Sequence, residues 1–287
     1  MIVGRIAACV VAIVSALTVV TTTAEAKSPG STGEPVGGYA RRDGNGFWIV
    51  ADDGHVTTFG TAHNFGDASA IPLNAPIRGS AATASGSGYW MVSRDGGVFA
   101  FGDAKFFGSS AAMHLNAPML SIGATPSGHG YWLAASDGGI FSFGDAHFHG
   151  STGAMRLNEP VTGMAAGAKG SGYRLVTRDG GVFSFGDAAF YGSLPSRGLH
   201  VADVVGIAPT PTGKGYWIAR AGGQVYAFGD ARDLNQPFLT NPECDPVVAI
   251  VANPIAQGYR LVQRMGTIAA GTPPAPDVEI LPVTCVF

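Results

Sequence analysis

Six residues at one repeated position could grip a flat partner: Trp48, Trp90, Trp132, Arg174, Trp217 and Arg260. Each stands two places after a glycine of the series Gly46, Gly88, Gly130, Gly172, Gly215 and Gly258, which recurs every 42 or 43 residues. Together they use all four tryptophans of the chain. Indole and guanidinium planes stack on sugar rings and other flat groups. A fully buried tryptophan site would not readily accept arginine, whose charge is costly to desolvate. A place at the rim of the fold, near the start of a strand, suits both residue types. The set is therefore expected to form a ligand-binding surface, against the competing reading that it packs between repeats as scaffold.

Other candidate chemistry is thinner. In Asp145-Ala-His147-Phe-His149, spacing by two would place a carboxylate and two imidazoles on one face of a strand, a set that zinc can use. The neighbouring repeats put Lys105 and Ala189 at the place of His147, and Phe107 and Tyr191 at that of His149, so an ordinary outer-strand site is favoured and no metal is expected. Asp103, Asp145, Asp187 and Asp230 form one turn series, and Asp95, Asp137 and Asp179 another. Each turn offers a single carboxylate where calcium takes about six to eight oxygens, so both series read as turn stabilisers. Signatures of nucleophile elbows, zinc proteases, phosphate loops and dinucleotide folds are missing, and no cofactor is expected. Ser93-Arg-Asp95-Gly-Gly97 loosely resembles the Asp-box hairpin of sialidase propellers, with its aromatic one place early; such hairpins stabilise blades and carry no catalysis. A hydrolase with residues scattered around a channel mouth is the alternative class.

The elements that would position these residues are legible from the repeat. A period of about 40–45 residues built from short apolar runs and glycine turns is the signature of a β-propeller blade. In the second repeat, an inner strand begins at Pro76, a second spans Tyr89 to Ser93, and Asp95-Gly96-Gly97 makes a hairpin into a third at Val98 to Phe101. Gly102-Asp103-Ala104 then turns into a fourth strand, Lys105 to Gly108. Inner strands are expected near Pro35, Pro76, Pro118, Pro160, Asp203 and Pro246, the last three of the first four following Leu-Asn-x-Pro linkers. The fold class is thus all-β, a single propeller of six four-stranded blades, with irregular terminal segments that leave room for a seventh. Strand direction places the Trp/Arg set and the Asp103 series on one face, and the Asp95 series with the linkers on the other.

Residues 1–26 read as a signal peptide: Arg5 is the charge, Ile6 to Val20 the apolar run, and Ala24-Glu-Ala26 the cleavage site. Residues 27–34 are expected to be a flexible leader, and 35–287 the propeller. The apolar run is short for a membrane span, and no other candidate follows. After cleavage only Cys244 and Cys285 remain, and an even pair in an exported protein favours a disulfide. Closing that loop of about 40 residues would stabilise the fold by ~4 kcal/mol in the chain-entropy model. Its last strand is expected within Val278 to Val286, so the bridge would pin the blade that closes the ring. A net charge of −3 with 13% charged residues and no basic stripe argues against nucleic acid as a partner.

The run Gly-Tyr-Trp-x-Val-x-x-Asp-Gly-Gly-Val-Phe-x-Phe-Gly-Asp-Ala-x-Phe-x-Gly-Ser, strongest in Gly88–Ser109, Gly130–Ser151 and Gly172–Ser193, resembles the repeat of exported actinobacterial proteins. The resemblance covers about residues 37–265, weakens where Ala221 replaces the turn aspartate, and nearly vanishes after Gly258. It implies export and a propeller, and its association with cell-wall hydrolases suggests the cell envelope as the setting. The expected function is a secreted, non-catalytic propeller that binds an envelope polysaccharide or an exported protein; a purely structural envelope role is the remaining alternative.

Overall fold

The Gly-aromatic runs form the middle strand of every sheet. The computed structural model describes residues 33–234, 239, 242–255, 257–266 and 268–271, and these form six antiparallel three-stranded sheets. The first comprises β1 (Pro35–Ala40), β2 (Gly46–Ala51) and β3 (Val56–Gly60). The second comprises β4 (Ile77–Ala82), β5 (Gly88–Ser93) and β6 (Val98–Gly102), and the third β7 (Met119–Ala124), β8 (Gly130–Ala135) and β9 (Ile140–Gly144). The fourth holds β10 (Val161–Ala166), β11 (Gly172–Thr177) and β12 (Val182–Gly186). The fifth holds β13 (Val204–Pro209), β14 (Gly215–Arg220) and β15 (Val225–Gly229), and the sixth β16 (Val247–Ala252), β17 (Tyr259–Gln263) and β18 (Ile268–Gly271).

The inner strands β1, β4, β7, β10, β13 and β16 pack side by side in chain order, and β16 lies against β1, closing the ring. A cluster of Ile49, Ala249, Val251 and Val262 seals that last junction. Middle strands are covered by a neighbouring sheet on each side, which is why Gly88-Tyr-Trp-Met-Val-Ser93 reads as a continuous run and is buried throughout. Each tryptophan or tyrosine there removes on the order of 150–250 Å² from water. At about 25 cal/mol/Å² that is roughly 4–6 kcal/mol per side chain before ordering entropy is subtracted. Every inner strand carries a bulge at the same place, which bends the strands around the axis. The Asp-Gly-Gly hairpins need glycine: Gly96 has φ +86°, and a Cβ there would collide with Ser110.

The expected fourth strand is a correction. Among the described residues, Lys105–Gly108 and its equivalents are not strands; in the first four blades the outer segment is instead held by a tyrosine of the next blade, whereas the equivalent Tyr259 hydroxyl has no hydrogen-bond partner among the described residues. Lys105 O accepts from Trp90 Nε1 at 2.7 Å within its own blade. The hydroxyl of Tyr131, in the next blade, accepts from Phe107 N at 3.1 Å and donates to Gly108 O at 2.5 Å. Side chains of two blades thus take up backbone groups that a fourth strand would have paired with β6. The same latch recurs with Tyr173 on His149 N and Gly150 O at 3.2 and 2.6 Å, and with Tyr216 on Tyr191 N and Gly192 O at 3.2 and 2.5 Å. Tyr89 holds Gly66 O in the same way. Gly108, at φ +134°, lies against the next blade's Phe143, whose ring would be 2.6 Å from an added Cβ.

The leader is tied down at its end: Gly33 N and Glu34 N donate to Asp53 and Asp52 at 2.8 and 2.9 Å. The expected signal peptide, Cys285 and the strand expected within 278–286 lie outside the described residues. No helix among the described residues is long and apolar enough to cross a membrane.

Candidate functional site

The Trp/Arg set does not lie at the rim. Trp48, Trp90, Trp132 and Trp217 are at most 1% exposed, and Arg174 is 1% exposed. Each indole N–H reaches a backbone carbonyl fifteen residues on: His63, Lys105 and His147 at 2.7 Å, and Arg232 at 2.8 Å. Arg174 fits the same slot because its Nε donates to Ala189 O at 2.8 Å, the carbonyl at the equivalent place. Its Nη2 donates to Gly213 O at 3.2 Å, and the rings of Tyr191 and Tyr216 flank the guanidinium at 5.4 and 5.3 Å. Nη1 is buried with no partner among the described residues, and burial lowers the pKa of the group. Arg260 is half-buried over the Phe47 ring at 4.7 Å, again with its pKa lowered by burial. The desolvation argument that favoured a rim therefore fails on a shared acceptor and two flanking aromatic faces. None of the four indoles, nor Arg174, presents a face to solvent.

Both aspartate series lie where strand direction put them. Asp103 accepts from Thr83 at 2.8 Å and Ser85 at 2.5 Å, tying the first turn of a blade to its last. Asp145 does so with Thr125 and Ser127 at 2.9 and 2.6 Å, and Asp230 with Thr210 and Thr212 at 2.8 and 2.5 Å. Burial pushes Asp145 up, but the bonds from Ser127 and Thr125 outweigh it and hold the carboxyl below its usual range. In the fourth blade Gly167 and Lys169 stand where the hydroxyls would be, and Asp187 has no such clamp. On the opposite face, Asp95 receives Gly97 N at 3.2 Å and Ser93 Oγ at 2.5 Å.

Asp145, His147 and His149 do not share a strand face, because no strand forms there. Asp145 is engaged by its clamp, His147 is exposed, and His149 packs 5.9 Å from Tyr173 in the blade junction. No group of three or more metal-ligating side chains occurs among the described residues.

The surface feature that spacing did not single out is an arc of phenylalanines. Phe106, Phe148 and Phe190 are 60%, 60% and 55% exposed at one repeat position of the second, third and fourth blades. Each precedes the residue that turns inward onto the next blade's tyrosine: Phe107, His149 and Tyr191, at 5.7, 5.9 and 5.9 Å between ring centroids. Backbone alternation then points the phenylalanine outward. The signal was present in Phe106-Phe107, since only one of two adjacent aromatics in an extended segment can face the core. The first and fifth blades carry Asn64 and Asp233 at this place, both exposed. The scaffold accepts polar residues there, so folding does not demand the three phenylalanines. Met113 and Met155, in the segments that follow in the second and third repeats, are also 51% and 59% exposed.

No protein-family profile matches this chain, and no curated protein matches it in sequence. Among solved structures, it is similar to the β-propeller domain of Cps50 (Swd1) from Myceliophteria thermophila. The match has a TM-score of 0.52 at 12% identity and covers 84% of this chain and 96% of that one. At that identity the likeness shows the fold: this chain is a β-propeller.

Proposed function

We propose that this chain is an exported, non-catalytic binding propeller whose outer arc, Phe106, Phe148 and Phe190, engages a protein partner of the cell envelope. The observation that carries the reading is the restriction of these exposed aromatics to three consecutive blades when the same position is polar in two others. Aromatic and methionine side chains are enriched in protein interfaces. Burial of the tryptophans removes the residues that favoured a glycan ligand. The resemblance to exported actinobacterial repeats supports the envelope setting, and a Cys244–Cys285 disulfide belongs to the same reading. No histidine or carboxylate is among the described residues that line the axial cavity, which weighs against a hydrolase built at its mouth.

The test is site-specific photo-crosslinking in the exporting cell, with the reactive group placed in turn at positions 106, 148, 190, 64 and 233. Adducts to one protein from the first three positions alone, lost in a Phe106→Ala/Phe148→Ala/Phe190→Ala variant, are expected. Equal adducts from all five positions would overturn the assignment. So would retention by immobilised envelope polysaccharide that survives the triple change, which would restore a glycan ligand on another surface.

A further inference from the structure

The axial cavity holds a feature that the ring does not need. Its volume is about 190 Å³, and its walls come from three residues of each inner strand. At the bulge of each strand stands one residue: Val36, Arg78, Leu120, Thr162, Val205 and Val248. Five are uncharged, and Arg78 is the one ionisable side chain among the described residues that line the cavity. Its guanidinium makes no hydrogen bond or ion pair to any described residue, so its donors are free for a ligand. Arg78 is exposed, so the cavity is reachable from solvent beside it. Two residues on, Ser80 also lines the cavity, and its Oγ is buried beside Gly37 of the neighbouring inner strand with no hydrogen-bond partner among the described residues. A scaffold requirement would repeat around the ring; this cation and this unpaired hydroxyl occur on one strand.

From this we infer that the axial cavity is a binding site for a small oxyanion, a phosphate or the carboxylate of a small acid, held by Arg78 with Ser80 as a second donor. A guanidinium offers five N–H donors in a planar fork that matches two oxygens of either group. No lining carboxylate neutralises the charge, and the surface that the inner strands expose around it is mainly polar, so a concave wall of one sign of charge faces an entering anion. The volume equals that of about six waters at roughly 30 Å³ each, enough for phosphate or a short dicarboxylate.

The experiment is calorimetric titration of the full mature chain with inorganic phosphate and, separately, with succinate, in a Tris–chloride buffer. The key variant is Arg78→Val, the residue that three other strands carry at this place, so the ring retains a side chain it already accommodates. Its folding is checked by thermal unfolding. Binding of either probe is expected, weakened roughly tenfold or more in Arg78→Val and less in Ser80→Ala, the loss of charged against neutral hydrogen bonds. Arg78→Lys should fall between wild type and Arg78→Val, because it keeps the charge and loses the fork. Binding of phosphate alone or succinate alone identifies which source of the oxyanion the cavity takes. No heat with either probe at millimolar concentration, or binding unchanged in Arg78→Val, would overturn the assignment.

Discussion

Removing a single latch hydroxyl should measurably weaken one junction of the ring. In Tyr131→Phe the ring stays, and its packing against Trp90, Phe107 and Phe143 at 5.6–5.7 Å is unchanged. What disappears is one oxygen that serves two backbone groups, Phe107 N–H and Gly108 C=O. Each unpaired group costs about 1–3 kcal/mol when fully buried. Both residues here are only half-buried, so water relieves part of the loss, and about 1–3 kcal/mol for the pair is the working figure. For a chain of this size that is a Tm lower by roughly 2–10 °C. Tyr173→Phe and Tyr216→Phe should behave alike, since their latches have the same two bonds. Urea unfolding followed by tryptophan fluorescence measures all three. A destabilisation below about 0.3 kcal/mol in each Tyr→Phe variant would refute the latch as the device that replaces the fourth strand.

Three further outcomes follow from the same geometry. Arg174→Trp should stabilise the chain by about 1–2 kcal/mol, because it removes a buried cation with an unpaired nitrogen and an indole can donate to Ala189 O; calorimetric unfolding would show the higher Tm. The chain should lose stability on the alkaline side. Burial raises Tyr131, Tyr173 and Tyr216, and lifts Tyr89 and Tyr259 to about 12, so their contribution is complete below pH ~10 and is lost as pH rises through the folded values. Phenolate absorbance and circular dichroism recorded together should therefore change together. On the acid side the sign reverses: Asp145 is held below its usual range, so its contribution is present above pH ~4 and fades as pH falls through the folded value. Asp145→Asn should flatten that limb, as acid unfolding followed by circular dichroism would show.

Much of the architecture could be read from the residues, and the reason is local. The Asp-Gly-Gly hairpins and the Gly-aromatic starts specify turn and strand within a few positions, so β5 begins one residue before the expected Tyr89 and β4 one residue after the expected Pro76. The fourth strand was misread because what decides it is not local. Lys105 O is claimed from fifteen residues back by Trp90, and Gly108 O from twenty-three residues on by Tyr131, a residue of another blade. The Trp/Arg position was misread for a related reason. Substitution of tryptophan by arginine looks like exposure, yet each donates to the carbonyl at the equivalent place of its own blade, and neither periodicity nor residue type reports where that carbonyl will be. Repetition itself supplied a clue that outlasted the errors: Phe106 against Asn64, and Arg78 against Val36, are departures from the repeat that folding does not require.

The central claim is that the repeated tryptophans hold the ring while the phenylalanine arc meets the partner, and hydroxyl-radical footprinting tests it most directly. The mature chain would be labelled alone and then with the exported-protein fraction of its source. Slow oxidation of Trp48, Trp90, Trp132 and Trp217 in both states is expected, with fast oxidation of Phe106, Phe148 and Phe190 that slows on addition of the fraction. Rapid oxidation of the free chain's tryptophans, or tryptophans protected by the fraction while the phenylalanines stay unchanged, would contradict it.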